Sequence, residues 1–211
     1  MHVGGVAEWL LEPATLEEFR QAYGAARARG CEPRILGGGA NLIVADGMLP
    51  GVVIATERLR RVFRPTPDMD TSAVSAGGEL VRSIRIAGAL VPDARIAQDA
   101  PALDPRLIAW CGASLPSLVR AARDLGLSGL EGLVGVPGHL GGGVAMNAGG
   151  RWGELWDVVE SVHVLEPDGS TRDLARSACS PRYRNANLGA RIVLGAVLRL
   201  RPDATQSIQA R

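Results

Sequence analysis

Between residues 126 and 150 the chain reads GLSGLEGLVGVPGHLGGGVAMNAGG, and this stretch limits what the whole can fold into. It holds ten of the 27 glycines, and six of them (Gly126, Gly129, Gly132, Gly135, Gly138 and Gly141) recur at every third residue. Glycine loses more backbone entropy on folding than any other residue. Such a concentration therefore marks positive-φ turns or backbone amides held against a ligand. Collagen also repeats glycine in threes, but through many proline-rich triplets. Here the triplets are few and carry Leu127, Leu130, Leu133 and Val136. Taken alone, the stretch suits a tightly wound core loop as well as a ligand loop.

A second cluster, Gly37-Gly38-Gly39-Ala40-Asn41, tips the balance toward a ligand. Consecutive glycines let the backbone fold into a nest whose amide hydrogens converge on a phosphate. The cluster lies between Arg34-Ile35-Leu36 and Leu42-Ile43-Val44, with Gly51-Val52-Val53-Ile54 beyond Asp46-Gly47. That order reads as strand, glycine turn, strand, turn, strand. It matches neither G-x-G-x-x-G nor G-x-x-x-x-G-K-[ST], and a strand rather than a long helix follows, which argues against a Rossmann or P-loop fold.

The remaining elements follow in chain order. Residues 6–11 read as an early strand. Thr15 with Glu18 forms a capping box ahead of Leu16, Phe19, Tyr23 and Ala26 at helical spacing, and Gly30 closes that helix. Residues 58–67, basic and broken by proline, read as a linker and a subdomain boundary. Residues 78–90 suit a helix and 91–105 a loop. A helix from Ser114 or Ser117 to Leu125 presents Leu115, Leu118, Val119 and Ala122 and stops at Gly126. Residues 158–165 form a strand, Asp168-Gly169 a hairpin turn into residues 171–174, and residues 191–200 a last strand apolar on both faces. Residues 201–211 read as a polar tail with nothing to pack on.

Composition excludes several classes. A net charge of +1 and 4% aromatic residues give no basis for nucleic-acid recognition. Cys31, Cys111 and Cys179 show no metal-ligand spacing, so no metal is expected, and their odd number suits free thiols of a reducing compartment. No run reaches the length of a membrane-spanning helix, and Met1-His2 opens into mixed sequence without a signal-peptide pattern. The expectation is a cytoplasmic, monomeric protein without nucleic-acid or membrane partners.

LGGGANLIVAD at residues 36–46 resembles the first flavin-binding signature of the UDP-N-acetylenolpyruvoylglucosamine reductase family. Residues 126–154, ending AGGRWGE, resemble its longer second signature. Tyr183-Arg184 and the strand at 192–200 fit the same family; residues 65–109 do not. The resemblance implies an α+β, two-subdomain FAD-binding fold of the vanillyl-alcohol-oxidase-like (PCMH-type) kind. Subdomain 1 would take residues 1–57. Subdomain 2 would take 58–201, with an atypical segment at 65–109, and 202–211 would be a tail where the family's substrate domain begins. It also implies FAD as cofactor, NADPH as hydride donor and a UDP-sugar substrate. The implied reaction is reduction of enolpyruvyl-UDP-GlcNAc to UDP-N-acetylmuramate for peptidoglycan.

Carried over by residue, the resemblance gives Gly37, Gly38, Gly39, Ala40, Asn41 and Leu42 to the FAD pyrophosphate, with Ala40 where serine is common. It gives Gly135, Val136, Pro137, Gly138, Gly141, Gly142, Ala145, Asn147 and Ala148 to the wall against the ribityl chain and isoalloxazine. Arg184 matches the active-site arginine, and Tyr183 the substrate pocket. His2, His139 and His163 are read as bystanders, Trp152 and Trp156 as packing residues. The family's Ser or Cys proton donor and late Glu have no counterpart here. The alternative to a reductase is therefore an FAD-binding module acting as a sensor or partner-dependent subunit.

Overall fold

The computed structural model describes residues 4–65, 104–204 and 207–208, and the backbone of Ser83–Ile84. Two sheets carry the fold. The first is parallel and three-stranded, in the order β1 (Val6–Leu11), β3 (Met48–Ala55), β2 (Arg34–Leu36). Helix α1 (Leu16–Ala28) connects β1 to β2, which run in the same direction on either side of β3, and such like-directed strands need a crossover. Its start follows from the capping chemistry in the sequence. The Thr15 hydroxyl accepts from the Glu18 amide at 3.1 Å, and the Glu18 carboxylate reaches back to the Ala14 amide at 2.8 Å. The buried face of α1 is Leu16, Phe19, Tyr23 and Ala26, the four positions picked out by helical spacing.

The second sheet has six strands among the described residues. Its order is β11 (Thr171–Ala175), β10 (Val159–Leu165), β12 (Ile192–Arg199), β6 (Arg106–Trp110), β4 (Val62–Phe63), β5 (Ser83–Ile84). Its central strands are buried on both faces. Leu107 and Ala109 of β6, with Val193, Ala196 and Leu198 of β12, pack under helices α2 (Leu115–Asp124) and α3 (Leu140–Ala145). Ile108, Trp110, Leu194 and Val197 pack on the other side with Phe19 and Tyr23 of α1 and Ile54 of β3. One core therefore joins the second sheet to the first. Two short pairs complete the chain: β7 (Leu127–Ser128) with β13 (Arg201–Pro202), and β8 (Gly149–Gly150) with β9 (Gly153–Glu154).

Four sequence expectations need correction. Leu42-Ile43-Val44 is irregular chain rather than a strand: it has no sheet partner, and Leu42 and Ile43 are 55% and 85% exposed. Residues 58–65 are no linker, because Leu59, Val62 and Phe63 are core residues and β4 is hydrogen-bonded to β6. The tail does pack, through β13 and through the buried Ile208. Trp152 is 75% exposed under the Arg151 guanidinium, whereas Trp156 is buried and donates its indole N–H to the Val144 carbonyl at 2.9 Å. The helix expected at 78–90 lies outside the described residues, apart from Ser83–Ile84, which pairs with β4 as strand.

Candidate functional site

The two glycine clusters, about a hundred residues apart in sequence, meet in space. Residues 37–46 leave the end of β2 as an exposed loop, and residues 134–139 lead into the N-terminus of α3. A Cβ on Gly38 would sit 3.0 Å from the His139 ring and 3.2 Å from the Gly138 Cα, so only glycine lets the loops approach this closely. A Cβ on Gly138 would lie 3.4 Å from that of Ala40, and Gly138 holds φ +106. Asn41 closes the seam by donating from Nδ2 to the Met146 Sδ at 3.1 Å.

The residues present fit a pyrophosphate-bearing group. Among the described residues, no amide from Gly37 to Asn41 donates to protein. Buried amides are paired almost without exception; these lie exposed on one loop and are free to take a ligand's anionic oxygens. A Cβ on Gly37, Gly39, Gly135 or Gly142 would meet nothing within 4 Å, so open space borders the backbone on both sides of the seam. Val136, Pro137 and Ala145 line the second loop and its helix, and Leu42 stands exposed beyond Asn41.

Other expected cofactor residues are occupied by the protein itself. The Gly141 amide donates to the Cys111 carbonyl at 2.8 Å, and a Cβ there would sit 2.9 Å from that of Cys111. The Ala148 amide donates to the Gly143 carbonyl at 2.7 Å. Asn147 is 2% exposed at φ +46, and both ends of its side chain are in use. Nδ2 donates to Glu154 Oε2 at 2.6 Å and to the Arg182 carbonyl at 3.2 Å, and Oδ1 accepts from the Trp156 amide at 3.2 Å.

Tyr183 and Arg184 occupy an exposed loop tied to the same region. Ala186 donates its amide to the Ala145 carbonyl at 3.0 Å, and Arg184 Nη1 reaches the Gly149 carbonyl at 3.2 Å. The guanidinium also lies 5.1 Å from the centre of the Tyr183 ring, and Arg184 itself has φ +56. A left-handed non-glycine residue is uncommon and gathers at functional sites.

The sequence reading missed His139. It precedes α3, its Nδ1 is buried with no partner among the described residues, and its ring packs on Gly38. Burial lowers its pKa, with Glu57 opposing weakly. A hint lay in the sequence, where it is the one ionisable residue between Gly135 and Gly150. His163, by contrast, is buried in β10 with Nδ1 2.8 Å from Asp173 Oδ1. A cavity of about 980 Å³ lies elsewhere, between β7, β13 and residues 152–158. None of the expected cofactor residues lines it, and its carboxylates are already engaged: Glu131 takes the Ser128 hydroxyl and Gly129 amide, Asp157 the Glu154 amide. The seam fits a cofactor better. Among the described residues no helix is long and apolar enough to cross a membrane.

The chain is similar to several known proteins. A family described as "FAD binding domain" matches residues 95–175. The UDP-N-acetylenolpyruvoylglucosamine reductase of Deinococcus radiodurans is 34% identical over 213 residues, covering 99% of this chain and 60% of the relative. That of Acaryochloris marina is 34% identical over 187 residues, covering 88% and 49%. The crystal structure of UDP-N-acetylenolpyruvylglucosamine reductase from Thermus caldophilus superposes with a TM-score of 0.64 at 29% identity, over 99% of this chain and 60% of that one. Alkyldihydroxyacetonephosphate synthase, at 15% identity and a TM-score of 0.52 over 92% of this chain and 31% of that one, shares the fold alone. The chain thus spans about half to three-fifths of the length of the curated relatives it matches. Its fold is α+β, the two-subdomain FAD-binding kind.

Proposed function

We propose that this chain, homologous along its length to the FAD-binding portion of the UDP-N-acetylenolpyruvoylglucosamine reductases, binds FAD in the seam between its glycine loops and serves that reductase reaction. The substrate would be enolpyruvyl-UDP-GlcNAc, the product UDP-N-acetylmuramate and the donor NADPH, in the cytoplasm. The observation that supports the reading most is the approach of Gly38 to Gly138 and His139, with unpaired amides beside it.

In this reading the amides of Gly37 to Asn41 hold the pyrophosphate, and residues 135–142 with Ala145 wall the rest of the cofactor. Bound FAD would supply the two-electron chemistry between NADPH and the enol-ether double bond. The residues of the chain bind, orient and place charge. Arg184, always charged and able to fork onto a carboxylate, stabilises negative charge developing on the enolpyruvyl group. Tyr183 lines the substrate side. Subdomain 1 ends near residue 57, and the chain acts as a monomer.

The test is the visible spectrum of the purified chain, before and after anaerobic NADPH and then enolpyruvyl-UDP-GlcNAc. A flavin spectrum that bleaches with NADPH and recovers with substrate is expected for the reductase. Bleaching without recovery would favour the second reading, an FAD-binding module that depends on another polypeptide. That reading draws on the chain's span of about half to three-fifths of its relatives. Absence of flavin after reconstitution would sink both.

A further inference from the structure

We infer that Asn147 is a positioning residue that clasps the Tyr183–Arg184 loop to the second glycine loop. Its contacts reach two separate segments, residues 154–156 and the loop at Arg182. Nδ2 holds the Arg182 carbonyl and the Glu154 carboxylate, while Oδ1 caps the Trp156 amide. The Arg182 contact falls two residues before Arg184, on the exposed stretch 182–185 ahead of the buried Ala186. Within it, Arg182 and Asn185 exchange amide–carbonyl bonds at 2.7 and 3.1 Å, forming a closed turn. The left-handed Arg184 sits inside that turn. Among the described residues the loop's other hydrogen bonds to the body are the Ala186 amide to Ala145 and the Arg184 guanidinium to Gly149, and Ala186 and Leu188 pack in the core beyond the turn.

Burial gives the clasp its strength. Asn147 is 2% exposed, so each of its hydrogen bonds is made away from water, where leaving a partner unpaired is costly. Its own left-handed φ of +46 is tolerated by asparagine better than by most residues. That conformation lets one short side chain reach Glu154, Trp156 and Arg182 together. Glu154 in turn is fixed: its amide donates to Asp157 Oδ2 at 2.8 Å in a capping box. The clasp is therefore anchored on the β9 side and holds the arginine loop on the other. Removing it frees the turn that aims Arg184 without touching any residue placed on the pyrophosphate.

This inference rests on the reading of Arg184 as the charge-bearing residue, but its structural half can be tested apart from that reading. Asn147→Gly keeps the backbone conformation accessible and deletes the side chain. The flavin-loaded variant and parent are exposed to trypsin, and cleavage after Arg182 and Arg184 is followed by mass spectrometry. Cleavage is expected to speed up about tenfold, as the population of the opened loop rises. Equal cleavage rates in both proteins would overturn the clasp. Should the variant fail to fold, hydrogen exchange on the parent decides. The amides of Asn185 and Ala186 should be protected far beyond that of Ser170 in the exposed β10–β11 turn; equal exchange would overturn the clasp.

The functional half is read from flavin recovery on adding substrate. Asn147→Gly and Arg184→Ala should each slow it, and the double variant should be no slower than Arg184→Ala alone. Additive losses would show that Asn147 does not act through Arg184. If the parent itself gives no recovery, the reductase reading fails, and proteolysis and exchange still decide the clasp.

Discussion

Individual residues at the seam are chosen by distance rather than by chemistry. Gly38 is glycine because a Cβ there would sit 3.0 Å from the His139 ring and 3.2 Å from the Gly138 Cα and push the two loops apart. His139 closes the other side of that contact, and burial depresses its pKa below the ordinary 6.5. The folded protein therefore holds fewer protons there than the unfolded chain does around and just below pH 6.5. A group with a depressed folded pKa contributes stability above its unfolded pKa and loses it as pH falls through the folded one. Urea denaturation at pH 7.5 and pH 5 should show stability falling on acidification, and His139→Gln should reduce that fall. An identical pH dependence in the two proteins would mean that His139 does not stay neutral in the fold. Cys111 shows the same physics without a role in the seam: full burial pushes its thiol up to about 12, leaving it inert.

Among the elements, α1 shows how much the sequence disclosed and why. Its cap, its length and its buried face follow from residues within a single helix, and local rules reach that far. Thr15→Ala should cost about 1 kcal/mol in urea denaturation, the ordinary worth of an N-cap hydroxyl; an unchanged midpoint would mean that the Glu18–Ala14 contact alone holds the helix start. The strand β12 was equally legible, because an apolar run buried on both faces has no other place in a small domain. Leu42-Ile43-Val44 misled for the opposite reason. Three apolar residues look like a strand, but strand formation needs a partner, and whether an edge is free at that point is decided by β1 and β3 pairing elsewhere. The burial of Leu59, Phe63 and Ile208 was hidden likewise, since each packs against residues distant in sequence. The site residues split on the same line. The glycine clusters were visible as clusters, whereas the contacts of Asn147 with Trp156 and Arg182 and those of His139 with Gly38 exist only after folding.

At the scale of the whole molecule, the seam belongs to neither sheet alone. Its first loop extends from the parallel sheet and its second leads into a helix packed on the six-stranded sheet, so a ligand bound there links both. Binding only to the folded state stabilises it by mass action, about 2.7 kcal/mol at a hundredfold excess over Kd. Adding FAD to the apoprotein should therefore raise its Tm, and Gly38→Val should abolish the rise while leaving the melt of the apoprotein cooperative. A rise of equal size in the variant would place the cofactor elsewhere, with the 980 Å³ groove between β7, β13 and residues 152–158 as the next candidate.

The distance in sequence between the two glycine loops carries a kinetic consequence. Contacts between residues 37–41 and 138–146 close a circuit of about a hundred residues, and closures of that length come slowly because chain entropy must be given up before any contact returns it. The capped helix and the β10–β11 hairpin can form locally within microseconds. The seam cannot exist until both sheets are in place. A flavin held there, as proposed, would arrive as the last guest, able to lock a finished fold but unable to guide its making.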